Sequence, residues 1–309
     1  MPERIKPEKS FDVINDILET LRFKGSIFFR SDLAAPWGMS LTGISGPRFH
    51  IILSGECFVG SKDNETVRAS ETDIIMLPNG NSHWIADKPG RDLVPSTSAG
   101  KACELRDPMF QQGTITNRLM CGMVVYDQNT IHPILDALPA IINFSMLEAS
   151  GSVWSLVGLI DEEMRSPEGA SSNITDRLTE VLFLKLLYQY VYANHETTGF
   201  IAALRDKRIH QALIMIHAEP GYNWSLKNLG ERVGMSPATL VRHFQDAVGM
   251  APISYVNNWR MLKAYNAIKY TLVSLEKVAS SLGFTSSRTL TRAFDRQYGL
   301  TPSKLREAR

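Results

Sequence analysis

The order of apolar and polar residues changes character along the chain. Over residues 25–125, short apolar runs are separated by turn-forming residues, which predicts a series of short strands. The strand-sized runs are 27–29, 50–53, 57–59, 73–77 and 119–125, and the turn formers between them lie at 54–55, 62–64, 78–80 and 88–90. Many short strands at close spacing are typical of a barrel or a sandwich.

Beyond Pro133 the spacing of apolar residues becomes helical. It predicts helices over 134–146, 152–165 and 173–194, with Asn173 placed to cap the last one. The apolar surface of this last helix is wide enough to be buried on more than one side, against the sheet region, sister helices or a second subunit. Residues 199–206 are the expected linker to the C-terminal part.

The C-terminal third contains an internal repeat. Residues 229–236 are similar to residues 278–285, and five further residues recur 50 positions later. These pairs are Leu240 and Leu290, Arg242 and Arg292, Phe244 and Phe294, Gly249 and Gly299, and Pro252 and Pro302. Gly234 and Gly283 are only 49 positions apart, so the second copy has one extra residue in its turn.

Each copy has the pattern of a helix-turn-helix, at about 226–247 and about 275–298. In the first copy, Ser225 can cap a short amphipathic helix, Gly234 permits the turn that ends it, and Ser236 can cap the next helix. At 100° per residue, the second helix of each copy turns a polar face away from its apolar side. The outward positions are Ala238, Arg242 and Gln245 in the first copy, and Arg288, Arg292 and Asp295 in the second, with Thr291 at the edge of that face. Outward arginines behind a support helix are suited to binding guanine in the DNA major groove.

The distribution of charge supports a polyanion as the partner of this repeat. The total net charge of +1 conceals an asymmetry. Residues 205–309 hold 16 Lys and Arg against 7 Asp and Glu, whereas residues 1–204 hold 17 against 25. A basic C-terminal third behind an acidic front part indicates a polyanion-binding module joined to a domain with another role.

The stretch from about residue 206 to residue 306 resembles the DNA-binding domain of AraC/XylS-type transcriptional regulators. The second copy carries most of the likeness, at Ala279, Gly283, Phe284, Ser287, Leu290, Thr291, Arg292, Ala293, Phe294, Tyr298, Gly299, Thr301, Pro302, Ser303 and Arg306. The resemblance implies an all-α domain over 207–306 that contains two helix-turn-helix modules. It implies base-reading positions at Ala238, Val241, Arg242, Ser287, Arg288, Thr291 and Arg292. For contacts to the DNA backbone we expect Lys227, Ser236, Thr239, Thr285, Ser286 and Lys304.

A second resemblance covers about residues 12–139. Residues 78–83 fit the P-x-G-x-x-H part of the cupin pattern, and His50, Ile52 and Glu56 stand at the ligand positions of the first cupin motif. The region is similar to the cupin-type sensor domain of many AraC-like regulators. This implies a cupin-like β-barrel over 1–132, followed by a helical segment for dimerisation or signal relay over 133–198. The candidate effector-pocket residues are His50, His83, Trp84 and Cys121.

The same cupin motifs raise the question of a metal. An open site with three protein ligands is typical of catalytic metals, and His50, Glu56 and His83 are the candidate ligands here. Because Ile52 stands where a second ligand histidine would be, we expect a barrel that has turned to sensing, with no metal and no cofactor.

These patterns predict a one-component transcriptional regulator and not an enzyme, since no nucleophile–base pair, phosphate loop, dinucleotide fingerprint or zinc pattern is visible. The expected partners are double-stranded promoter DNA, a small-molecule effector and a second copy of the chain, with RNA polymerase as a further candidate and no membrane. The odd number of cysteines (Cys57, Cys103 and Cys121) and the charged N-terminus predict a cytoplasmic protein. The alternatives are a cupin metalloenzyme with a regulatory tail and a ligand-free regulator whose barrel only dimerises.

Overall fold

The computed structural model describes residues 12–44, 46–61, 66–104, 109–127, 129–130, 132–145, 151–165, 172–193 and 199–307. The chain forms two compact units whose segments alternate along the sequence. The sheet unit comprises Phe23–Gln128 and Leu138–Asn194, and the helical unit comprises Met1–Arg22, Asn129–Ala137 and His195–Arg309. The contiguous division of the chain at residues 132, 198 and 206 stays a prediction.

Ten described strands form two sheets of five strands each. The strands are β1 Lys24–Ala34, β2 Gly38–Leu41, β3 Arg48–Ser54, β4 Glu56–Gly60, β5 Val67–Ser70, β6 Ile74–Leu77, β7 His83–Ala86, β8 Val94–Pro95, β9 Ile115–Val125 and β10 Ile142–Phe144. The first sheet has the order β1-β9-β3-β6-β10, and the second has the order β5-β4-β7-β2-β8. All five runs predicted as strands lie in or overlap β1, β3, β4, β6 and β9, whereas the predicted turn at 62–64 lies outside the described residues.

The predicted cupin-like fold is confirmed, and no closed barrel is found among the described strands. Their hydrogen-bonded ladders give two separate sheets. Side chains alternate between the two faces of a strand, and each sheet turns one apolar face to the same cluster. Ile52 and Leu119 enter this cluster from the first sheet, and Met39, Val59 and Ile85 enter it from the second.

The described helices follow in chain order. They are α1 Val13–Leu21, α2 Ser96–Glu104, α3 Pro133–Asp136, α4 Gly151–Arg165, α5 Ser172–Ala193, α6 Gly199–Ala203, α7 Lys207–Ala218, α8 Leu226–Val233, α9 Pro237–Val248, α10 Pro252–Tyr270, α11 Leu275–Ser281, α12 Ser287–Tyr298 and α13 Pro302–Glu307. Among the described residues, no helix combines the length and the apolar character that crossing a membrane requires.

The helix predicted over 134–146 is wrong beyond residue 136. The chain leaves α3 after one turn, passes Pro139 and continues as β10, which pairs antiparallel with β6. Ile142 and Phe144 are buried there, because every second residue of a strand faces the same side. Their apolar side chains therefore belong to one face of a strand and not to one face of a helix. Residues 146 and 194, at the ends of two predicted helices, lie outside the described residues.

The helical unit brings together segments that are far apart in sequence. Asn266 on α10 donates through Nδ2 to Thr20 O of α1 at 2.8 Å, and Lys263 on α10 forms an ion pair with Asp16. His217 on α7 lies 2.9 Å from the same carboxylate. The helix α1 is therefore held to the C-terminal helices by polar contacts.

Candidate nucleic-acid interface and inter-sheet cavity

The first repeat folds as two capped helices joined by a tight turn. Ser225 and Asn228 form a reciprocal capping box at the start of α8. The helix ends at Gly234, whose φ of +67° is the left-handed conformation that glycine adopts without strain. Ser236 caps α9 by accepting the backbone N–H of Thr239 at 3.2 Å. The predicted helix-turn-helix is confirmed here.

The second repeat has the same plan with one residue more. Ser274 caps α11, Gly283 follows it with a φ of +75°, and Ser286 caps α12 by accepting the N–H of Thr289 at 3.2 Å. The cap of α9, Ser236, stands two residues after Gly234, whereas the cap of α12, Ser286, stands three residues after Gly283. The extra residue predicted from the repeat spacing therefore lies between the glycine and the cap.

The two recognition helices, α9 and α12, each bury one side and expose the other. Leu240 and Phe244 of α9 are fully buried, as are Leu290 and Phe294 at the equivalent positions of α12. The polar side of each helix is thereby turned outward, as the 3.6-residue period predicts.

The expected base-reading positions lie on these outward sides. Ala238, Arg242, Arg288 and Arg292 are exposed, whereas Val241, Ser287 and Thr291 are half-buried. The hydroxyl of Thr291 donates to Ser287 O within the helix at 2.9 Å, so part of its hydrogen-bonding capacity is already used. We define the reading faces as these seven residues.

Of the residues expected to contact a DNA backbone, four lie at the starts of α9 and α12, whereas Lys227 is on α8 and Lys304 is on α13. Lys227, Ser236, Thr285, Ser286 and Lys304 are exposed, and Thr239 is half-buried. Ser236 and Ser286 already serve as caps, so the helix N-termini they organise are themselves suited to binding phosphate.

In the sheet unit, the structure brings together three of the four residues expected in an effector pocket. His50 on β3 and His83 on β7 approach through their Nε2 atoms at 2.7 Å, and His50 Nδ1 lies 2.8 Å from Cys121 Sγ on β9. His83 Nδ1 lies 2.8 Å from Asn81 O, which requires a proton on Nδ1. His83 Nε2 then accepts from His50, and His50 Nδ1 accepts from the Cys121 thiol.

The pKa shifts agree with this neutral chain of hydrogen bonds. Burial lowers the pKa of His50 well below its ordinary value and lowers that of His83 to about 4. Burial raises the pKa of the Cys121 thiol. The three groups are therefore uncharged near neutral pH, because burial penalises their charged forms.

Two of the residues singled out from the cupin pattern lie elsewhere. Trp84, between His83 and Ile85 on β7, has its ring against Gly60 on the neighbouring strand. Glu56 is exposed and forms an ion pair with Arg68. It is not brought to His50 and His83, and no group of three His, Cys, Asp or Glu side chains among the described residues is arranged to hold a metal.

A cavity of about 450 Å³ lies in the sheet unit, between the two sheets and α2. Its sheet-borne lining consists of Phe29, Met39, Leu41, Arg48, Ile85, Cys121 and Met123. Ser96, Thr97, Gly100 and Lys101 line it from α2. This volume and this mostly apolar lining are typical of small-molecule sites. Of the four predicted pocket residues, Cys121 alone is part of the lining.

Arg48 and Lys101 also line the cavity, and neither was predicted from the sequence. Arg48 precedes His50 by two positions in β3, so the two-residue period of a strand already places both side chains on one face. That pattern could have identified Arg48. No comparable pattern marks Lys101, because its contact with the cavity depends on the tertiary fold.

Comparison with known proteins agrees with both sets of features. A family model described as Cupin matches residues 12–191, more than half of the chain, and one described as Helix-turn-helix domain matches residues 229–308. An uncharacterized HTH-type transcriptional regulator of Haemophilus influenzae is 25% identical over 302 residues, which are 96% of this chain and 99% of that protein. The HTH-type transcriptional regulator AlkR of Acinetobacter baylyi is 23% identical over 303 residues, with the same coverage. A putative AraC-like transcription regulator of Streptomyces antibioticus is 23% identical over 301 residues, covering 96% of this chain and 98% of that one.

The chain belongs to the AraC-like transcriptional regulators that carry a cupin domain. In this AraC-like regulator the cupin match contains every described strand, and the helix-turn-helix match contains both recognition helices. The AraC-like regulator is therefore a DNA-binding protein with a cupin-like domain ahead of its DNA-binding domain.

Proposed function

We propose that the chain binds promoter DNA sequence-specifically through the reading faces of α9 and α12. The observation that carries this proposal is the equivalence of Arg242 and Arg292. Both arginines are exposed, both occur at the same position of the repeat, and both stand two residues after a fully buried leucine. Such an arginine reads guanine through two hydrogen bonds in the major groove.

The two modules contribute unequally. Ala238 and Val241 of the first reading face carry no hydrogen-bonding side-chain group, and they suit contact with a thymine methyl. The second reading face has Arg288 and Arg292, together with Ser287 at its start. Sequence discrimination by hydrogen bonding therefore comes mainly from α12, and Arg242 supplies the corresponding contact from α9.

A selection experiment with full-length protein tests this function. The protein is incubated with a random pool of duplex DNA, and bound molecules are sequenced over several rounds. We expect an enriched site with two preferred segments about one helical turn, 10–10.5 base pairs, apart. Affinity for that site should fall steeply between low and moderate salt because phosphate contacts release counterions. Salt-sensitive binding with no enriched sequence would contradict sequence-specific recognition.

We further propose that a small-molecule effector in the inter-sheet cavity modulates DNA binding. An effector acts only if it favours one conformational state of the protein over another. The cavity supports this role because it combines apolar walls with a few polar groups, as small-molecule sites do.

We also propose that the chain acts as a cytoplasmic homodimer and makes contact with RNA polymerase at its promoters. Leu159 on α4 and Val181 on α5 are large apolar side chains with 49% and 43% of their surface exposed, and they are candidates for the dimer contact. Sedimentation analysis of Leu159→Glu, with Glu163→Gln on the same helix as a control, tests this. A wild-type protein that sediments as a monomer would contradict it.

In this proposal the cupin-like domain senses and does not catalyse. His50 and His83 hydrogen-bond to each other, and Glu56 is engaged with Arg68. Elemental analysis of the purified protein separates this function from that of a cupin metalloenzyme. A stoichiometric metal that is lost in His83→Ala would favour the enzyme or a metal-dependent sensor.

A further inference from the structure

We infer that Arg260 on α10 is a positioning residue for DNA recognition, because it fixes the separation of the two helix-turn-helix modules. This inference rests on the proposed reading of DNA by α9 and α12, and it adds the residue that sets the spacing between the two DNA segments they read. It follows from the contacts of Arg260 with the loop before the first module and from the contact of that loop with the second module.

The helix α10 is the element that both modules share. It packs against α9 of the first module and against α11 and α12 of the second. Tyr265 and Ile268 of α10, for example, belong to the same apolar cluster as Leu290 and Phe294 of α12. Because the hydrophobic effect is non-directional, a defined angle between the modules also requires contacts of fixed geometry.

Arg260 supplies such contacts to the loop over residues 219–224, which precedes the first module. Its Nε donates to Pro220 O at 2.6 Å, and its Nη2 donates to Tyr222 O at 2.7 Å. The two carbonyls belong to the residues on either side of Gly221, so the guanidinium holds the chain on both sides of that glycine. Arginine suits this position because its donors form a rigid planar fork.

Gly221, which Arg260 holds in this way, lies directly against the turn of the second module. A Cβ on Gly221 would lie 2.4 Å from Ser281 O, and one on Gly283 would lie 2.3 Å from Gly221 O. Both distances are far below van der Waals contact, so the two backbones approach more closely than side chains would allow. The Nη2 of Arg260 lies 3.2 Å from the same Cβ position of Gly283. We call Arg260, Gly221 and Gly283 the brace.

The loop over residues 219–224 is also tied to the first module. The Trp224 indole N–H donates to Glu219 O at 3.0 Å, which closes the loop on itself. The guanidinium of Arg232 on α8 lies 5.0 Å from the ring centroid of Tyr222 and 5.2 Å from that of Trp224. The brace therefore connects the support helix of the first module to the turn of the second.

The brace predicts that the protein selects DNA by spacing as well as by sequence. Successive major-groove segments on one face of DNA lie about one helical turn, 10–10.5 base pairs, apart. One inserted base pair shifts the second segment by about 3.4 Å and rotates it by about 35°. Recognition helices at a fixed separation cannot both follow this shift, whereas loosely joined helices can.

A spacing series of DNA sites tests the inference on the full-length protein. Affinity is measured for the selected site and for versions with one base pair inserted or deleted between its two segments. For the wild type we expect a loss of at least about fivefold at each altered spacing, since a bidentate arginine contact is broken. In Arg260→Gln this loss should shrink to less than about twofold, because loosely joined modules keep both contacts. Equal losses of affinity at all three spacings would indicate a purely structural role and overturn the inference.

Two further variants separate positioning from charge. Arg260→Lys keeps the positive charge but replaces the planar fork with one ammonium group on a flexible chain. It should therefore relax the spacing preference as well, and it decides the outcome if circular dichroism shows that Arg260→Gln does not fold. Arg208→Gln, which changes an exposed arginine of α7, is the matched control and should keep the wild-type spacing preference. A wild-type spacing preference in Arg260→Lys would overturn the inference.

A measurement without DNA separates this inference from the function on which it rests. Nitroxide labels are attached to p-acetylphenylalanine introduced at the exposed positions of Gln245 on α9 and Asp295 on α12, which leaves the native cysteines unlabelled. By double electron–electron resonance, the distance distribution between the labels should be broader in Arg260→Gln than in the wild type and in Arg208→Gln. A broader distribution without any enriched DNA site would support the brace and contradict the proposed function. An unchanged distribution in Arg260→Gln would overturn the inference and leave the proposed function standing.

Discussion

The Nε2 atoms of His50 and His83 lie 2.7 Å apart, and their hydrogen bond joins β3 of one sheet to β7 of the other. The bond belongs to a chain that runs from the Cys121 thiol through both imidazoles to Asn81 O. Each ring must donate once and accept once, so protonation of either ring breaks the chain. The hydrogen bond between the two sheets of the sheet unit therefore requires that both imidazoles stay neutral.

The first prediction concerns pH. The pKa of His83 is lowered by burial to about 4, from an ordinary value of 6.5. The unfolded chain therefore binds more protons than the folded chain between these values, and stability is lost as pH falls from about 6.5 to about 4. In urea titrations, His83→Gln should reduce this loss by roughly 3 kcal/mol. His243→Gln, which changes an exposed histidine on α9, is the control. An identical pH dependence in wild type and His83→Gln would refute the neutral pair.

The second prediction concerns thiol reactivity. Burial raises the pKa of Cys57 to about 12 and also raises that of Cys121, and both thiols are inaccessible. The thiolate is the reactive species, so native protein at pH 8 should leave both thiols unlabelled by Ellman's reagent for many minutes. In urea both should react at once. Peptide mapping by mass spectrometry identifies the labelled residues, and rapid native labelling of Cys121 would show that the thiol is accessible.

The repeat was predictable from sequence because its information is local. Caps, glycines and apolar spacing lie within a few residues of one another, and Ser225, Gly234 and Ser236 take the positions their residue types predict. The two-sheet packing was less predictable, since it depends on strands far apart in sequence. The strand β10 shows why: Ile142 and Phe144 suit a helix or a strand, and pairing with β6 decides between them.

The third prediction uses the repeat as its own control. Gly234 and Gly283 both have positive φ, and alanine in that conformation costs about 1–2 kcal/mol. A Cβ on Gly234 would meet nothing within 4 Å, whereas one on Gly283 would overlap Gly221 O. Gly283→Ala should therefore destabilise the protein by about 1–3 kcal/mol more than Gly234→Ala. Chemical denaturation of the two variants measures the difference, and equal losses would contradict the close approach.

The fourth prediction concerns the polar contacts that hold α1. His132 Nδ1 accepts from Ile134 N, so His132 Nε2 donates to the Tyr255 hydroxyl at 2.9 Å. That hydroxyl then donates to His217 Nε2 at 2.7 Å, and His217 Nδ1 donates to Asp16. Tyr255→Phe removes the hydroxyl partner of two buried imidazole nitrogens. It should therefore lower the free energy of unfolding by about 1–3 kcal/mol for each nitrogen, as chemical denaturation would measure.

A second tyrosine on α10 provides the control for this prediction. Tyr270 is 41% exposed, and Tyr270→Phe should change the free energy of unfolding by less than about 0.5 kcal/mol. If both variants were equally stable, the hydroxyl of Tyr255 would have no role in the network. This network could not be predicted from sequence, since its groups come from four segments and no local pattern relates them.

The reading-face assignments followed from the repeat and the resemblance, whereas the cavity required the tertiary fold. Arg292 could be assigned because its outward direction follows from the positions of Leu290 and Phe294 alone. Lys101 lines a cavity whose other walls come from strands up to 72 residues away, from Phe29 on one side of it in the sequence to Met123 on the other. Local patterns therefore determine the outward positions of α9 and α12 but not the lining of the inter-sheet cavity.

The affinity of Arg292→Ala for the selected DNA site tests the central claim most directly. Fluorescence anisotropy at fixed salt would compare wild type, Arg292→Ala and the control Arg208→Ala, which changes an exposed arginine on α7, outside both recognition helices. We predict that Arg292→Ala loses about 1–3 kcal/mol of binding free energy and no longer discriminates at one base pair, while Arg208→Ala keeps that discrimination. Unchanged affinity and unchanged base preference in Arg292→Ala would contradict the assignment of α12 as a DNA-reading helix.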